Sequence, residues 1–465
     1  MSVRSAAHWF DRRLGFSKAI LPIIQHPVPR TVNWWYVFGS ATLVAFTVQV
    51  ITGVALAFSY VPAPNSAYES LQFITDQALL GKVVRGIHYW GASAMVVLIF
   101  VHLCRTFLMG SYKFPREVNW LSGVLLFGVT MGMAFTGQLL RWDQDAYWAV
   151  AVGANMAGRA PFVGDLLAQI LTAGQTVGGA TLTRFYATHV FLFPAMMFGL
   201  LGIHLYLVIH HGISEPPGKS DVVDPATYQQ DYEDLIRKEG IPFWPDAAWK
   251  DVIFALGIGV VVLALAIAVG PAALAAKADP TNINADPRPD WYFLWYFALL
   301  ALMPPSIENI FIIGFPLLVV VVLLGLPFWA SAGERSPLRR PWAVGVVGFS
   351  ALSIGTLVWY GSLSPWSPNF HPAPLPARVT QGLTGPAARG AQLFEDKSCS
   401  KCHMIAGTGG QRGPDLTTIG TRLSADELTW RIANGGNNMP AYGATLQPDE
   451  MTALVAFLSQ LKAQP

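Results

Sequence analysis

Residues 88–102 read HYWGASAMVVLIFVH, and residues 189–204 read HVFLFPAMMFGLLGIH. Each run is apolar through its middle and closed at both ends by histidine. Imidazole inside a membrane span is costly unless it is liganded or paired, so His88, His102, His189 and His204 are candidate functional residues. On an α-helix, the steps of 14 and 15 residues return to about the starting face and, at ~1.5 Å per residue, set each pair about 21 Å apart. Two such helices, facing each other and running the same way, present ligands at two depths. That is the arrangement that clamps two stacked haems by bis-histidine ligation. A single histidine in an apolar run is more often a satisfied core residue, but two matched pairs outweigh that reading.

The 465-residue chain is 53% hydrophobic and 12% charged, with a mean hydropathy of +0.41. Soluble proteins carry about 25% charged residues, so this composition belongs to a membrane protein with a soluble portion. Seven runs are long enough to cross a bilayer, near 33–60, 84–109, 118–138, 185–211, 249–270, 307–329 and 341–361. The expected fold class is all-α: a seven-span helical bundle followed by a small soluble α-helical domain. The N-terminal arm and the loops after spans two, four and six hold fifteen Lys and Arg, against seven in the opposite loops. The positive-inside rule therefore places the N-terminus in the cytoplasm and, after an odd number of spans, the C-terminus outside. Residues 1–32 are charged and broken by Pro22, Pro27 and Pro29, which does not read as a cleavable signal, so the first span is expected to serve as the insertion signal. The net charge of +2 comes from scattered residues and gives no nucleic-acid footprint. The three cysteines supply no disulfide framework.

Spans two and four, two crossings apart, run in the same direction. His88 and His189 then share the outer depth and His102 and His204 the inner one, which assigns one b haem to each pair. Arg85, Arg105 and Arg184 lie near these ligands towards the helix ends, where a guanidinium pairs with haem propionates or anchors the helix at the interface. Gly39 and Gly53 in span one, and Gly123 and Gly137 in span three, repeat the 14-residue interval. Glycine at those depths lets a flat macrocycle approach the backbone, or lets helices pack closely.

The C-terminal region carries Cys399-Ser400-Lys401-Cys402-His403. This spacing reads as thioether attachment of one covalent c-type haem by Cys399 and Cys402, with His403 as axial ligand. Met439, in Asn438-Met439-Pro440-Ala441-Tyr442, is the expected second axial ligand. Met404 adjoins His403 and cannot reach the opposite face, and Met451 falls in a helical stretch. Covalent haem attachment outside the cytoplasm agrees with the charge-derived topology. Cys104 lies in an apolar run and is expected to be a buried thiol.

These boundaries divide the chain into a four-helix dihaem part (1–211), a cytoplasmic linker (212–248) with a short helix near Tyr228 to Lys238, and a three-helix part (249–361). A proline-rich linker (362–385) and the c-type domain (386–465) follow. The outer connections 139–184 and 271–306 are long and apolar, and are expected to pack at the membrane surface and build a site.

Residues 30 to 361 resemble cytochrome b of the Rieske/cytochrome b complexes. The likeness is carried by both histidine pairs together with Gln49-Val50-Ile51-Thr52-Gly53, Trp142-Asp143-Gln144, Thr181-Leu182-Thr183-Arg184-Phe185 and Pro289-Asp290-Trp291-Tyr292. The 15-residue interval in span four and the seven spans are similar to the photosynthetic and Gram-positive branch, whose two cytochrome b parts are often separate chains and here are joined. The C-terminal domain resembles a class I cytochrome c. The resemblance implies a quinol oxidation site on the outer side, where Asp290 replaces the family's usual glutamate as proton acceptor and Tyr292 is its hydrogen-bonding neighbour. The aspartate variant resembles menaquinol-using members. A second quinone site beside the inner haem is implied at His210 or His211 and at Lys250 and Asp251. Val37 stands where the photosynthetic branch has a haem-attaching cysteine, so no extra haem is expected there, and Arg141 stands where the family usually has proline.

The implied activity is that of a quinol:cytochrome c oxidoreductase core with electron bifurcation and proton translocation. It would sit in a bacterial inner membrane with the c domain on the periplasmic side. Implied partners are a separate Rieske iron–sulfur protein, the quinone pool, a soluble or membrane cytochrome c or terminal oxidase as acceptor, and a second copy in a homodimer. The competing reading is a non-bifurcating dihaem anchor relaying electrons between the quinone pool and another redox enzyme. Such an anchor does not need the Asp290 motif or two apolar outer connections.

Overall fold

A computed structural model describes residues 3–462 except 175, 280–287, 364–371, 412, 436–438, 440 and 444. Part of the expected proline-rich linker, and Asn438 and Pro440 beside Met439, therefore lie outside the described residues. The described chain is mostly helical, with three two-stranded antiparallel ribbons. It divides into two compact units, Met1–Asp279 with Leu302–Thr356, and Pro280–Ala301 with Leu357–Pro465.

Among the described residues, seven helices are long and apolar enough to cross a membrane: Trp34–Ala57, Gly81–Leu108, Glu117–Leu139, Gly179–His211, Trp249–Ala268, Ile307–Trp329 and Pro341–Leu363. This is a multi-pass membrane protein. A bilayer offers no hydrogen bonds, so a crossing segment must satisfy its own backbone, which the helix does. Span four begins six residues before the expected 185. The polar first turns, with Thr181, Thr183 and Arg184, disguise helix that is continuous with the apolar run.

In the first unit, span one packs on span two, span five packs on both, and span four packs on span three. Ala41, Ala45, Phe46, Met95, Leu98, Leu126, Val129 and Met197 form a buried apolar layer. Each of these residues falls between the two histidine or glycine positions of its own span, so the layer separates the two depths.

The connections 139–184 and 271–306 contain helices of their own, Gln144–Gly158 and Gly164–Thr172 in the first and Trp291–Leu302 in the second. Residues 142–144 and 275–278 meet as a short bridge, in which Gln144 N–H donates to the Ala276 carbonyl at 2.8 Å and Ala278 N–H to that of Trp142 at 3.1 Å. Asp143, fully buried, holds this corner. Its carboxylate accepts from Ala146 N at 2.9 Å, Ala275 N at 3.1 Å and the Arg141 guanidinium at 2.5 Å. Arg141, in the place of the family's proline, thus supplies the counter-ion that a buried carboxylate requires.

The stretch 212–248 is folded. It contains the helix Tyr228–Glu239, pairs Gly240–Pro242 with Pro27–Pro29, and pairs Val222–Val223 with Gly333–Glu334. Arg335 fastens it by donating to Asp221 at 3.0 Å and to the Glu215 carbonyl at 2.7 Å. Cys104, expected to be a buried thiol, is half-buried on span two.

In the second unit, the helices Gly385–Asp396 and Pro448–Gln460 cross at Gly390, where an added Cβ would meet Phe457 Cβ at 2.7 Å. Only a missing side chain allows that approach. Phe394, Phe457, Leu454, Ile405 and Leu428 fill the core behind the crossing. A third helix, Ala425–Asn434, starts at a capping box between Ser424 and Glu427.

Candidate functional site

Spans two and four place their histidines by different backbone routes. Span two is unbroken α-helix from Gly81 to Leu108. Span four changes to a π-turn at Thr188–Leu192, which contains His189, before resuming as α-helix at Phe193–His211. At ~100° per residue, 14 steps of α-helix fall about 40° short of whole turns, and 15 steps overshoot by about 60°. A π-turn takes up one extra residue per turn, so the 15-residue interval regains the phase of a 14-residue one. Pro194 accounts for its position: it lacks an N–H, and its ring would strike the carbonyl of Val190 in a regular helix. The mismatch between the two intervals was the sequence signal for this turn.

The structure brings His88 and His189 together, with ring centroids 6.3 Å apart and planes at 75°. Two metal–nitrogen bonds of about 2 Å, plus about 1 Å from each nitrogen to its ring centre, span about the same distance. This pair therefore fits one metal between its imidazoles. The four glycines stand against the four histidines. A Cβ on Gly53 would lie 3.3 Å from His88 Cε1, and one on Gly137 2.6 Å from His189 Cε1. At the other depth the corresponding distances are 3.1 Å from Gly39 to His102 and 3.4 Å from Gly123 to His204. What the missing side chains leave room for is first the imidazole itself.

Three hydroxyls outside the expected ligand set touch these rings: Thr52 on His88 Nδ1 at 2.9 Å, Thr136 on His189 Nδ1 at 3.2 Å and Ser122 on His204 Nδ1 at 2.9 Å. Their signal was Thr or Ser directly before a glycine of the repeat.

Of the three arginines, Arg105 is buried against the Tyr36 ring, 3.6 Å from its centroid, with Nε and one Nη lacking a hydrogen-bond partner. Unsatisfied buried guanidinium nitrogens suit an anionic group such as a propionate. Arg85 is buried and donates to Thr75 Oγ1 at 3.0 Å and the Ala272 carbonyl at 2.9 Å. Arg184 donates to the Ile170 carbonyl at 2.7 Å from an exposed position.

Where span five begins, Lys250 donates to the Val32 carbonyl at 3.0 Å, and Asp251 accepts from Ser40 of span one. His210 stacks on Tyr206 at 5.7 Å and meets His211 at 4.7 Å, while the His211 carbonyl accepts from Arg116.

In the second unit, Asp290 opens the helix Trp291–Leu302, and the Tyr292 hydroxyl donates to Asp290 Oδ2 at 2.7 Å. Cys399 and Cys402 flank a 3-10 turn, and His403 follows. His403 Nδ1 donates to the Pro414 carbonyl at 2.8 Å, which leaves Nε2 for a metal. Burial holds the His403 pKa below the ordinary histidine value and so keeps the ring neutral, as a ligand must be. Met439 packs against the same core as Cys399 and Tyr442. The donor set suits a c-type haem.

Comparison with known proteins bears on both units. The family model "Cytochrome b/b6/petB" matches residues 23–212, "Cytochrome b(C-terminal)/b6/petD" matches 277–374, and "Cytochrome C oxidase, cbb3-type, subunit III" matches 385–458. Cytochrome b of Allochromatium vinosum is 32% identical over 374 residues, covering 76% of this chain and 87% of its own length. The chain belongs to the cytochrome b family. Cytochrome b6 of Heliobacterium mobile is 41% identical over 211 residues, 45% of this chain and 99% of that protein. The menaquinol:cytochrome c reductase cytochrome b subunit of Bacillus subtilis is 41% identical over 216 residues, 45% of this chain and 96% of that protein. A solved structure titled "Hyperthermophilic respiratory Complex III" aligns with a TM-score of 0.65 and 26% identity, covering 77% of this chain and 91% of its own. The Heliobacterium mobile and Bacillus subtilis relatives are covered almost whole by less than half of this chain, while this cytochrome b also matches the C-terminal cytochrome b model and a cytochrome c model. Its cytochrome b and c parts imply b-type and c-type haem.

Proposed function

We propose that this cytochrome b is the core subunit of a quinol:cytochrome c oxidoreductase that oxidises menaquinol at the outer side of a bacterial inner membrane. The observation that carries the reading is the facing pair His88 and His189, at one of two ligand depths, in a chain that also ends in a c-type haem motif. His88 with His189, and His102 with His204, would hold two b haems. Cys399, Cys402, His403 and Met439 would hold one c haem. Bound haem supplies one-electron redox chemistry that no side chain of the protein provides.

The protein's own residues handle the protons. Asp290 Oδ accepts a quinol proton as general base, and the Tyr292 hydroxyl, donating to Oδ2, fixes the carboxylate's direction. The quinol's two electrons part at the outer site, one to a separate Rieske iron–sulfur protein and one inward across the membrane. Menaquinol is favoured by the Asp290 variant and by the Bacillus subtilis relative's name. Lys250 and Asp251, with His210 and His211, line the inner quinone site, and the complex is a homodimer that delivers electrons to a cytochrome c or terminal oxidase. The N-terminus is cytoplasmic and the c domain periplasmic, a reading that the excess of Lys and Arg in one set of loops supports.

Asp290→Asn tests this in the purified complex, with menaquinol and ubiquinol analogues compared. Quinol-dependent reduction of cytochrome c is expected to fall about 100-fold or more, with b and c haem spectra unchanged. Unchanged turnover removes Asp290 from the reaction and returns the chain to a passive electron relay.

A further inference from the structure

The hydroxyls on the histidines have a fixed sense. Thr52 Oγ1 donates its one proton to its own helix, to the Val48 carbonyl at 2.7 Å; Thr136 donates to Gly132 at 2.9 Å, and Ser122 to Asn119 at 2.9 Å. A hydroxyl has a single O–H, so with that proton spent each oxygen meets its imidazole as an acceptor. The Nδ1 of His88, His189 and His204 must then carry the hydrogen, which leaves Nε2 bare as the metal ligand.

An acceptor on Nδ1–H also draws the imidazole towards imidazolate and raises its basicity as a ligand. A more basic axial ligand favours the oxidised metal and lowers the potential, one of the protein's levers on haem.

The set is lopsided. Among the described residues, both outer histidines have a hydroxyl, while at the inner depth only His204 receives one, from the residue before its glycine. Position 38, which stands to Gly39 as Thr52 stands to Gly53, is phenylalanine, and Ser40 beyond Gly39 is directed at the Val37 carbonyl and Asp251 rather than at His102.

We propose that Thr52, Thr136 and Ser122 are positioning residues that set the tautomer of the haem-ligating histidines, and that two hydroxyls outside against one inside lower the outer haem's potential relative to the inner. The inference rests on the haem-ligand reading above. It gives the inward electron step a downhill direction with a source in three named side chains.

The test is a potentiometric titration of the whole complex, following the two b haems optically, with haem content measured alongside. Thr52→Val and Thr136→Val are each expected to shift the outer haem's midpoint potential upward and leave the inner haem unmoved. Ser122→Ala is expected to shift only the inner haem upward, and Thr52→Ser to titrate like the unmutated protein. Potentials unmoved in all three hydroxyl-deleted proteins, with haem retained, overturn the proposal. If Thr52→Val loses the outer haem, Thr52→Ser must retain it; loss in both assigns position 52 to packing and also overturns the proposal. Failure of the haem-ligand reading itself looks different: the unmutated complex would then lack two b-type potentials, and His88→Leu would keep both b haems.

Discussion

Spans two and four each carry a pair of histidines, on unlike backbones. Span two runs as one α-helix and has no proline between its histidines; span four has Pro194 and absorbs it, with one extra residue, in the π-turn around His189. Neighbouring structure tolerates proline in a membrane helix through such local adjustment. The comparison teaches that what matters in both is the direction of two imidazoles at two depths. The residue count between them is free to vary if the winding compensates.

The largest expected effect breaks that equivalence. One alanine inserted between Val96 and Val97 rotates His88 about 100° relative to His102 with no proline or wide turn to absorb it. At least one b haem should be lost, measured by pyridine haemochromogen content. Deleting Phe191 together with Pro194→Ala should instead let span four close as regular α-helix with a 14-residue interval and keep both b haems. Equal haem content in the two proteins would show that winding is not what aligns the ligands.

A smaller effect sharpens the comparison at the helices facing these two. Gly137→Ala puts a Cβ 2.6 Å from the His189 ring inside the π-turn, so thermal unfolding should register a loss of about 1–3 kcal/mol. Smallest is Gly123→Ala, where 3.4 Å to His204 is ordinary contact and the loss should stay below about 1 kcal/mol. Gly39 and Gly53, at 3.1 and 3.3 Å, should fall between them. A reversed order would mean that the glycines answer to something other than the imidazoles.

Much of the architecture was legible before any coordinates. The spans were placed to within a few residues because bilayer length is a local property of apolar runs, and the one larger error came where polar residues open span four. The short helix at Tyr228–Glu239 was legible from its composition. The nearness of Asp290 and Tyr292, two residues apart, was also readable, since they share one turn. Less legible was the corner at Asp143, whose carboxylate gathers groups from positions 141, 146 and 275. The folding of 212–248 against Pro27–Pro29 and Gly333–Glu334 was also hidden, because both partners are distant in sequence.

The sequence by itself determined the number of spans, the two histidine depths, the glycine repeat and the c-type motif, because each is a matter of spacing along one segment. Only the tertiary structure decided which hydroxyl meets which imidazole, and that a π-turn carries His189. These helices are apolar on nearly every side, so their patterning leaves the rotation of one helix against another unspecified. That rotation is set by packing between helices, and it decides which side of Thr52, Ser122 and Thr136 faces a histidine.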